Sequence, residues 1–396
     1  MSDIETIIGG KKNYEFVESL IYDIAPQWPL PDIDMNSLAK RCGKCTSSDN
    51  DPKAFPFVNG VCQYCLSAED TQFGSSEIIV NKGAMYDYLQ GVPAKRDGFD
   101  VLLLFSGGKD SSFMLKNFIE TFPHLKVLAV TIDNGYRVPS SVDNAISISK
   151  HLNVDYKIIP SSSEIHKLIF QDLISTNYPE GSNYFEAFTG EFMIDTGKLY
   201  AARQHIPYVV IGYTPEQCQS FLYPDIKPFY PTGFVLGKEA IKQQKRTTIY
   251  ERPLETLFNE RQLEYFWDGS HFPSEQTPTL LFPYLDWGYN KDFITDEVTQ
   301  ELPVKNTHPM ITNNMTVFIM LDYVRLGYCT VEPEFAVMVR RGVSDYEQNL
   351  KMWQIMEYLA TQKRDYLLDS IPQLLEELDL TVGFINAHSN KPVQQA

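Results

Sequence analysis

Apolar runs and helix-spaced apolar positions alternate along residues 101–212. The run Val101-Leu102-Leu103-Leu104-Phe105 is short and unbroken, which predicts a strand buried on both faces, and further strand candidates lie at 126–132, 155–159 and 207–212. The intervening stretches 110–121, 139–152, 162–175 and 184–205 repeat apolar residues at helical intervals. Strands separated by helices predict an α/β fold, a parallel sheet with helices on both faces. Ligands of such sheets bind beyond the carboxyl ends of the strands, a rule that gathers 106–112, 133–135, 161–163 and 212–217 on one rim. From 216 to 310 Pro and aromatic residues replace any regular period, as in Phe229-Tyr230-Pro231 and Leu281-Phe282-Pro283-Tyr284, and predict an irregular segment that shapes an acceptor pocket. Helical spacing returns at Tyr346, Leu350, Trp353, Met356 and Leu359 and again over 363–379, with Trp353 expected in a core. The polar tail from Asn386 is expected to be loose.

The first strand runs directly into Ser106-Gly107-Gly108-Lys109-Asp110-Ser111-Ser112, which opens the first of these helices. Glycines let a backbone approach a ligand closely, and the bare amides and positive dipole end of a helix start favour an anion. Ser106, Ser111 and Ser112 add hydroxyls. Asp110 suits phosphate only through a bridging Mg2+, so the segment reads as a cradle for a metal-bridged nucleotide rather than a plain capped turn. The second strand ends at Asp133-Asn134-Gly135, which is either a ligand-facing loop or an ordinary turn. Neither a Walker loop nor a dinucleotide fingerprint is present.

Cys42-Gly43-Lys44-Cys45 and Cys62-Gln63-Tyr64-Cys65 have the spacing of a four-thiolate knuckle. Zinc ranks ahead of an iron–sulfur cluster, and two disulfides would need an oxidising compartment for which no secretion signal speaks.

Ser106-Gly107-Gly108-Lys109-Asp110-Ser111 resembles the SGGxDS signature of the PP-loop ATP pyrophosphatases, also called adenine nucleotide alpha hydrolases. That resemblance implies a HUP-like PP-loop fold, cleavage of ATP between its α and β phosphates, transfer of AMP to a substrate oxygen, and displacement of AMP by nitrogen or sulfur. It implies Lys109 and Asp110 as catalytic residues, with Ser106, Gly107, Gly108, Ser111, Ser112, Asp133, Gly135 and Gly212 around ATP. With Cys42, Cys45, Ser48, Asp49, Pro52, Phe57, Asn59, Gly60, Val61, Cys62, Tyr64 and Cys65 ahead of it, the chain is similar over residues 40–215 to the N-acetyl sugar amidotransferase family. This narrower resemblance implies an acetamido group of a bacterial surface sugar, or of its nucleotide conjugate, as acceptor, and ammonia supplied by a glutaminase partner, since no glutaminase domain is evident in the chain.

The expected organisation is an extension (1–39), the four-cysteine metal knuckle (40–75), the PP-loop core (76–235), the irregular region (236–330) and a helical end (331–396). A formal charge of −17 opposes a large nucleic-acid substrate, while 43% hydrophobic residues without a membrane-length run predict a soluble, cytoplasmic globular protein. One basic stretch, with Lys227, Lys238, Lys242, Lys245 and Arg246 against Glu239, reads either as a lid over phosphate or as a solvated helix face. Tyr213 and Glu216 read either as contacts to substrate or metal or as part of a Pro-containing turn. Of the two other cysteines, Cys329 and Cys218, the latter lies near the rim and reads either as a sulfur-transfer thiol or as a buried apolar residue. Thiolation of a small molecule or tRNA, and a non-catalytic nucleotide-binding assembly module, are the two alternatives.

Overall fold

The apolar run becomes strand β1 (Val101–Leu104), and β2 (Val127–Asp133), β3 (Asp155–Pro160) and β4 (Tyr208–Val210) form within two residues of their expected bounds. Helix α1 (Ala84–Gln90) precedes them, and α2 (Lys109–Thr121), α3 (Pro139–His151), α4 (Ser163–Thr176) and α5 (Gly181–Arg203) alternate with them. The structure is a computed structural model that describes residues 19–67, 83–95, 97–135, 137–176, 181–215, 217–218, 233–244, 248–249, 252–304, 316–342, 344–369, 375–376 and 378–389. They fall into two compact units, 72–166 with 187–313, and 1–71 with 167–186 and 314–396.

The first unit holds a mostly parallel sheet. Val101 of β1 pairs in register with Val127 on one side and Tyr208 on the other, and β3 flanks β2. Alternate side chains serve opposite layers. Val101, Leu103 and Phe105 pack with Phe113 and Phe118 of α2 and Ala145 and Ile148 of α3. Leu102, Leu128, Val130 and Val209 pack instead with Ile194, Ala201 and Ala202 of α5 and with Trp267. An apolar run without polar alternation is what a strand covered on both faces requires.

The sheet does not end where the core was expected to end. Strand β5 (Val235–Leu236) and strand β6 (Thr279–Leu281) complete the order β3-β2-β1-β4-β6-β5, with β6 parallel to β4 and β5 antiparallel at the edge. Helices α6 (Lys238–Gln243), α7 (Tyr284–Trp287) and α8 (Lys291–Glu301) also arise in the stretch expected to be irregular. β6 has only three residues and sits between Pro278 and Pro283, too short for its burial to register as a period.

The other unit combines the knuckle with helices α9 (Thr316–Leu326), α10 (Glu332–Arg340) and α11 (Tyr346–Gln362). Asp345 caps α11 by accepting from Gln348 N, and Trp353, Met356 and Leu359 are buried as their spacing predicts. Arg41, next to the first cysteine, donates to Glu332 of α10 at 2.8 Å and to Glu357 of α11 at 2.5 Å, and all three side chains are buried. The carboxylates reach back, accepting from Ser48 N at 3.0 Å and Ala39 N at 2.6 Å. Among the described residues no helix is long and apolar enough to cross a membrane.

Candidate functional site

At the end of β1 the chain turns through Gly107, whose φ of +77° is a left-handed conformation that favours glycine. A side chain there would overlap Ser141 O and come within 3.1 Å of Ala145 N, so the loop lies directly on the first turn of α3. Gly108 then takes the extended conformation of an N-cap. The serines knit the turn: Ser106 Oγ accepts from Gly108 N at 3.2 Å and lies 2.9 Å from Ser111 Oγ, which accepts from Ser106 N at 3.1 Å. Ser112 Oγ donates to Gly108 O at 2.7 Å. The first-turn amides of α2 have no acceptor within their own helix, so the positive end of its dipole stands behind the turn.

Lys109 Nζ donates to both Asp110 carboxylate oxygens, at 2.6 and 2.7 Å, and to Tyr289 OH at 2.9 Å. Tyr289 OH in turn donates to Asp110 Oδ1 at 2.9 Å, and Tyr284 OH donates to Asp110 O at 2.6 Å. Burial, with the Asp110 charge beside it, pushes the Tyr284 phenol well above its ordinary range, so it remains a donor. Tyr289 therefore bridges the two catalytic candidates while Tyr284 anchors the Asp110 main chain, and both tyrosines come from the segment after β6, a contribution the sequence did not reveal.

The other rim residues are ordered around this loop. Asp133 Oδ1 accepts from Gly135 N at 2.9 Å, Gly135 has φ +83°, and Ser161 N donates to Asp133 O at 2.7 Å. Arg137, two residues further on, was not singled out from the sequence. Its guanidinium donates to Ser106 O and, at 3.3 Å, to Ile132 O, joining the ends of β1 and β2. Burial pushes its pKa down to about 10. A lone basic residue just past the second strand end was the available signal.

Gly212 lies against α2, where a side chain would come within 3.1 Å of Met114 Cε. Tyr213 extends toward α5, with its hydroxyl where a side chain at Gly190 would stand. Lys242 Nζ donates to Phe272 O at 2.6 Å, so this lysine ties α6 to a neighbouring loop. Glu216, Lys227, Lys245 and Arg246 lie outside the described residues. Cys218 is buried in the layer beneath the sheet with Ile211, Leu236 and Trp267, which matches its apolar reading.

The four knuckle sulfurs lie within 4.8 Å of one another, with Cys42 and Cys65 at 3.8 Å and Cys45 and Cys62 at 3.5 Å. A tetrahedral ion with metal–sulfur bonds of about 2.3 Å spaces its sulfurs about 3.8 Å apart, whereas a disulfide would need about 2.05 Å. The donor set therefore fits a four-thiolate metal. Hydrogen bonds from Cys45 and Cys62, aided by N–H donors from Cys62 at 3.3 Å and Lys44 at 3.4 Å, hold the Cys42 thiol well below its usual range.

No family model matches the chain. Uncharacterized protein MJ1599 of Methanocaldococcus jannaschii is 40% identical over 67 residues, 16% of this chain. The match spans about a quarter (24%) of that relative's length. Among solved structures, an NH3-dependent NAD synthetase from Campylobacter jejuni, in complex with nitrate, is similar at 20% identity with a TM-score of 0.25, covering 34% of this chain and 55% of that one. The U34-tRNA thiolase NcsA from Methanococcus maripaludis, with its [4Fe-4S] cluster, gives 12% identity and a TM-score of 0.32 over 77% of this chain and 87% of that one. A predicted subunit of tRNA methyltransferase from M. jannaschii gives 21% identity and a TM-score of 0.24, covering 42% and 73%. Scores of this size carry no inference by themselves.

Proposed function

We propose that this chain is an ATP pyrophosphatase of the PP-loop type that works as an AMP-forming amidotransferase. The observation that carries the reading is the turn after β1, with left-handed Gly107 seated on α3 and the start of α2 behind it. An oxygen of the acceptor amide attacks the α phosphorus of ATP, the bond to the bridging α–β oxygen breaks, and pyrophosphate leaves. Ammonia then adds to the activated carbon and loses a proton, the carbon–oxygen bond breaks, and AMP departs with the former amide oxygen. Positioning and charge stabilisation suffice for such chemistry. The loop amides receive the departing diphosphate, Lys109 offsets its charge, and Asp110 holds the Mg2+ that travels with ATP.

For this role Lys109 has to exchange its bonds to Asp110 for bonds to phosphate, and the Tyr289 hydroxyl beside both groups gives each an alternative partner during the exchange. The acceptor in this reading is an N-acetyl sugar or its nucleotide conjugate in surface polysaccharide synthesis. Ammonia comes from a separate glutaminase subunit, and the protein works in the cytoplasm. The knuckle holds structural zinc. Incubation with ATP, Mg2+, ammonium and candidate N-acetyl sugars should yield AMP and pyrophosphate in equal amounts. ADP and phosphate as products would overturn the reading, and metal analysis of the purified protein would distinguish zinc from iron.

A further inference from the structure

Arg137 is placed where an open parallel sheet receives its ligand, at the carboxyl ends of β1 and β2. Two facts set it apart from a residue that only braces a turn. Its Nε is buried and has no hydrogen-bond partner, and among the described residues its guanidinium makes no ion pair. Asp133, on the same loop, favours the charge without pairing with it and accepts from Gly135 N at 2.9 Å. A buried charge that hydrogen-bonds only to carbonyls, and whose burial outweighs the favourable influence of Tyr156 and Asp133, is costly, and a neutral donor could satisfy those same carbonyls without that cost. The retained charge therefore calls for an anionic ligand, and the bond to Ser106 O couples it directly to the loop that begins at that residue.

We propose that Arg137 is a positioning residue for polyphosphate: it fixes the end of β1 under the loop and supplies the buried counter-charge that a bound diphosphate neutralises. This inference rests on the nucleotide reading of the loop. The test compares Arg137→Gln, which keeps donors but loses charge, with Arg137→Lys, which keeps charge. Each protein is titrated calorimetrically with inorganic pyrophosphate and with Mg-ATP at several salt concentrations, and its urea unfolding midpoint is recorded.

Arg137→Gln should lose roughly 10- to 100-fold in pyrophosphate affinity, with a shallower salt dependence, because the positive charge beneath the loop is gone, while its midpoint stays at or above the wild-type value because the desolvation cost of that charge goes with it. Arg137→Lys should recover most of that affinity. Pyrophosphate affinity for Arg137→Gln within twofold of wild type would overturn the inference while leaving the loop reading intact. Equal affinity loss in both variants, tracking a fall in midpoint, would also overturn it by showing a bracing role only. Failure of the wild-type protein to bind either pyrophosphate or Mg-ATP would remove the loop reading itself, and this inference with it.

Discussion

Replacing Gly107 with Ala tests the proposal that the loop binds phosphate through its geometry. The new methyl meets two obstacles. A φ of +77° costs a residue with a side chain about 1–2 kcal/mol. The methyl would also overlap Ser141 O and stand 3.1 Å from Ala145 N, the two ends of a hydrogen bond in the first turn of α3. Overpacking against fixed backbone adds about 1–3 kcal/mol, for a total of roughly 2–5 kcal/mol. The protein can absorb that cost in two ways. Either α3 yields and global stability falls, or the loop lifts off α3 and the cost appears in ligand affinity, where each 1.4 kcal/mol is about tenfold. Urea unfolding and pyrophosphate titration on the same variant should together account for at least about 2 kcal/mol, so a variant of unchanged stability should bind about 30-fold more weakly. Gly108→Ala is the control for backbone strain, because Gly108 has φ −83°, a conformation that alanine adopts freely. A Gly107→Ala protein with wild-type midpoint and wild-type affinity would refute the argument.

Removing the knuckle metal with a strong chelator, or replacing Cys62 with Ser, should expose residues 314–396 to limited proteolysis and reduce helical circular dichroism, since Arg41 beside Cys42 bonds to both α10 and α11. Unchanged proteolysis would show that the knuckle is dispensable to that unit. Gly190→Ala should destabilise by about 1–3 kcal/mol through overlap with Tyr213 OH, and adding Tyr213→Phe should restore part of it in urea unfolding; strict additivity would disprove the contact. Burial pushes His166 down to about 4 from an ordinary 6.5, so the unfolded chain binds more protons between those values. The stability due to its neutral form is complete above pH 6.5 and declines by up to about 3 kcal/mol as pH falls toward 4, a slope that His166→Gln should flatten in pH-dependent unfolding.

What could be read in the sequence follows from how local each determinant is. Strands β1, β2 and β4 announce themselves because burial on both faces demands continuous apolar runs, whereas the edge strand β3 mixes exposed and half-buried residues, and helices with one buried face repeat at fixed intervals. The loop was equally legible: Ser106, Gly108 and Ser111 bond to one another within six residues, so their chemistry and spacing carry the geometry. β6 was not legible, because three residues between prolines cannot show a period and its partner β4 is held by register rather than by pattern.

The same reasoning explains which parts of the site went unseen. Tyr289 meets Lys109 across 180 residues of sequence, and Arg137 meets Ser106 across 31, so neither bond leaves a local trace. The knuckle was recognised from its spacing, yet its attachment to α10 and α11 depends on Arg41 finding two carboxylates far along the chain, at separations of 291 and 316. Motif spacing thus identifies groups that can touch a ligand, whereas the residues that set the charge and rigidity of those groups come from wherever the fold returns the chain. Lys109 illustrates the consequence. Read from the motif it is a phosphate counter-charge, but in the folded protein it neutralises Asp110 under Tyr289, so the proposed binding of phosphate would have to break that pair.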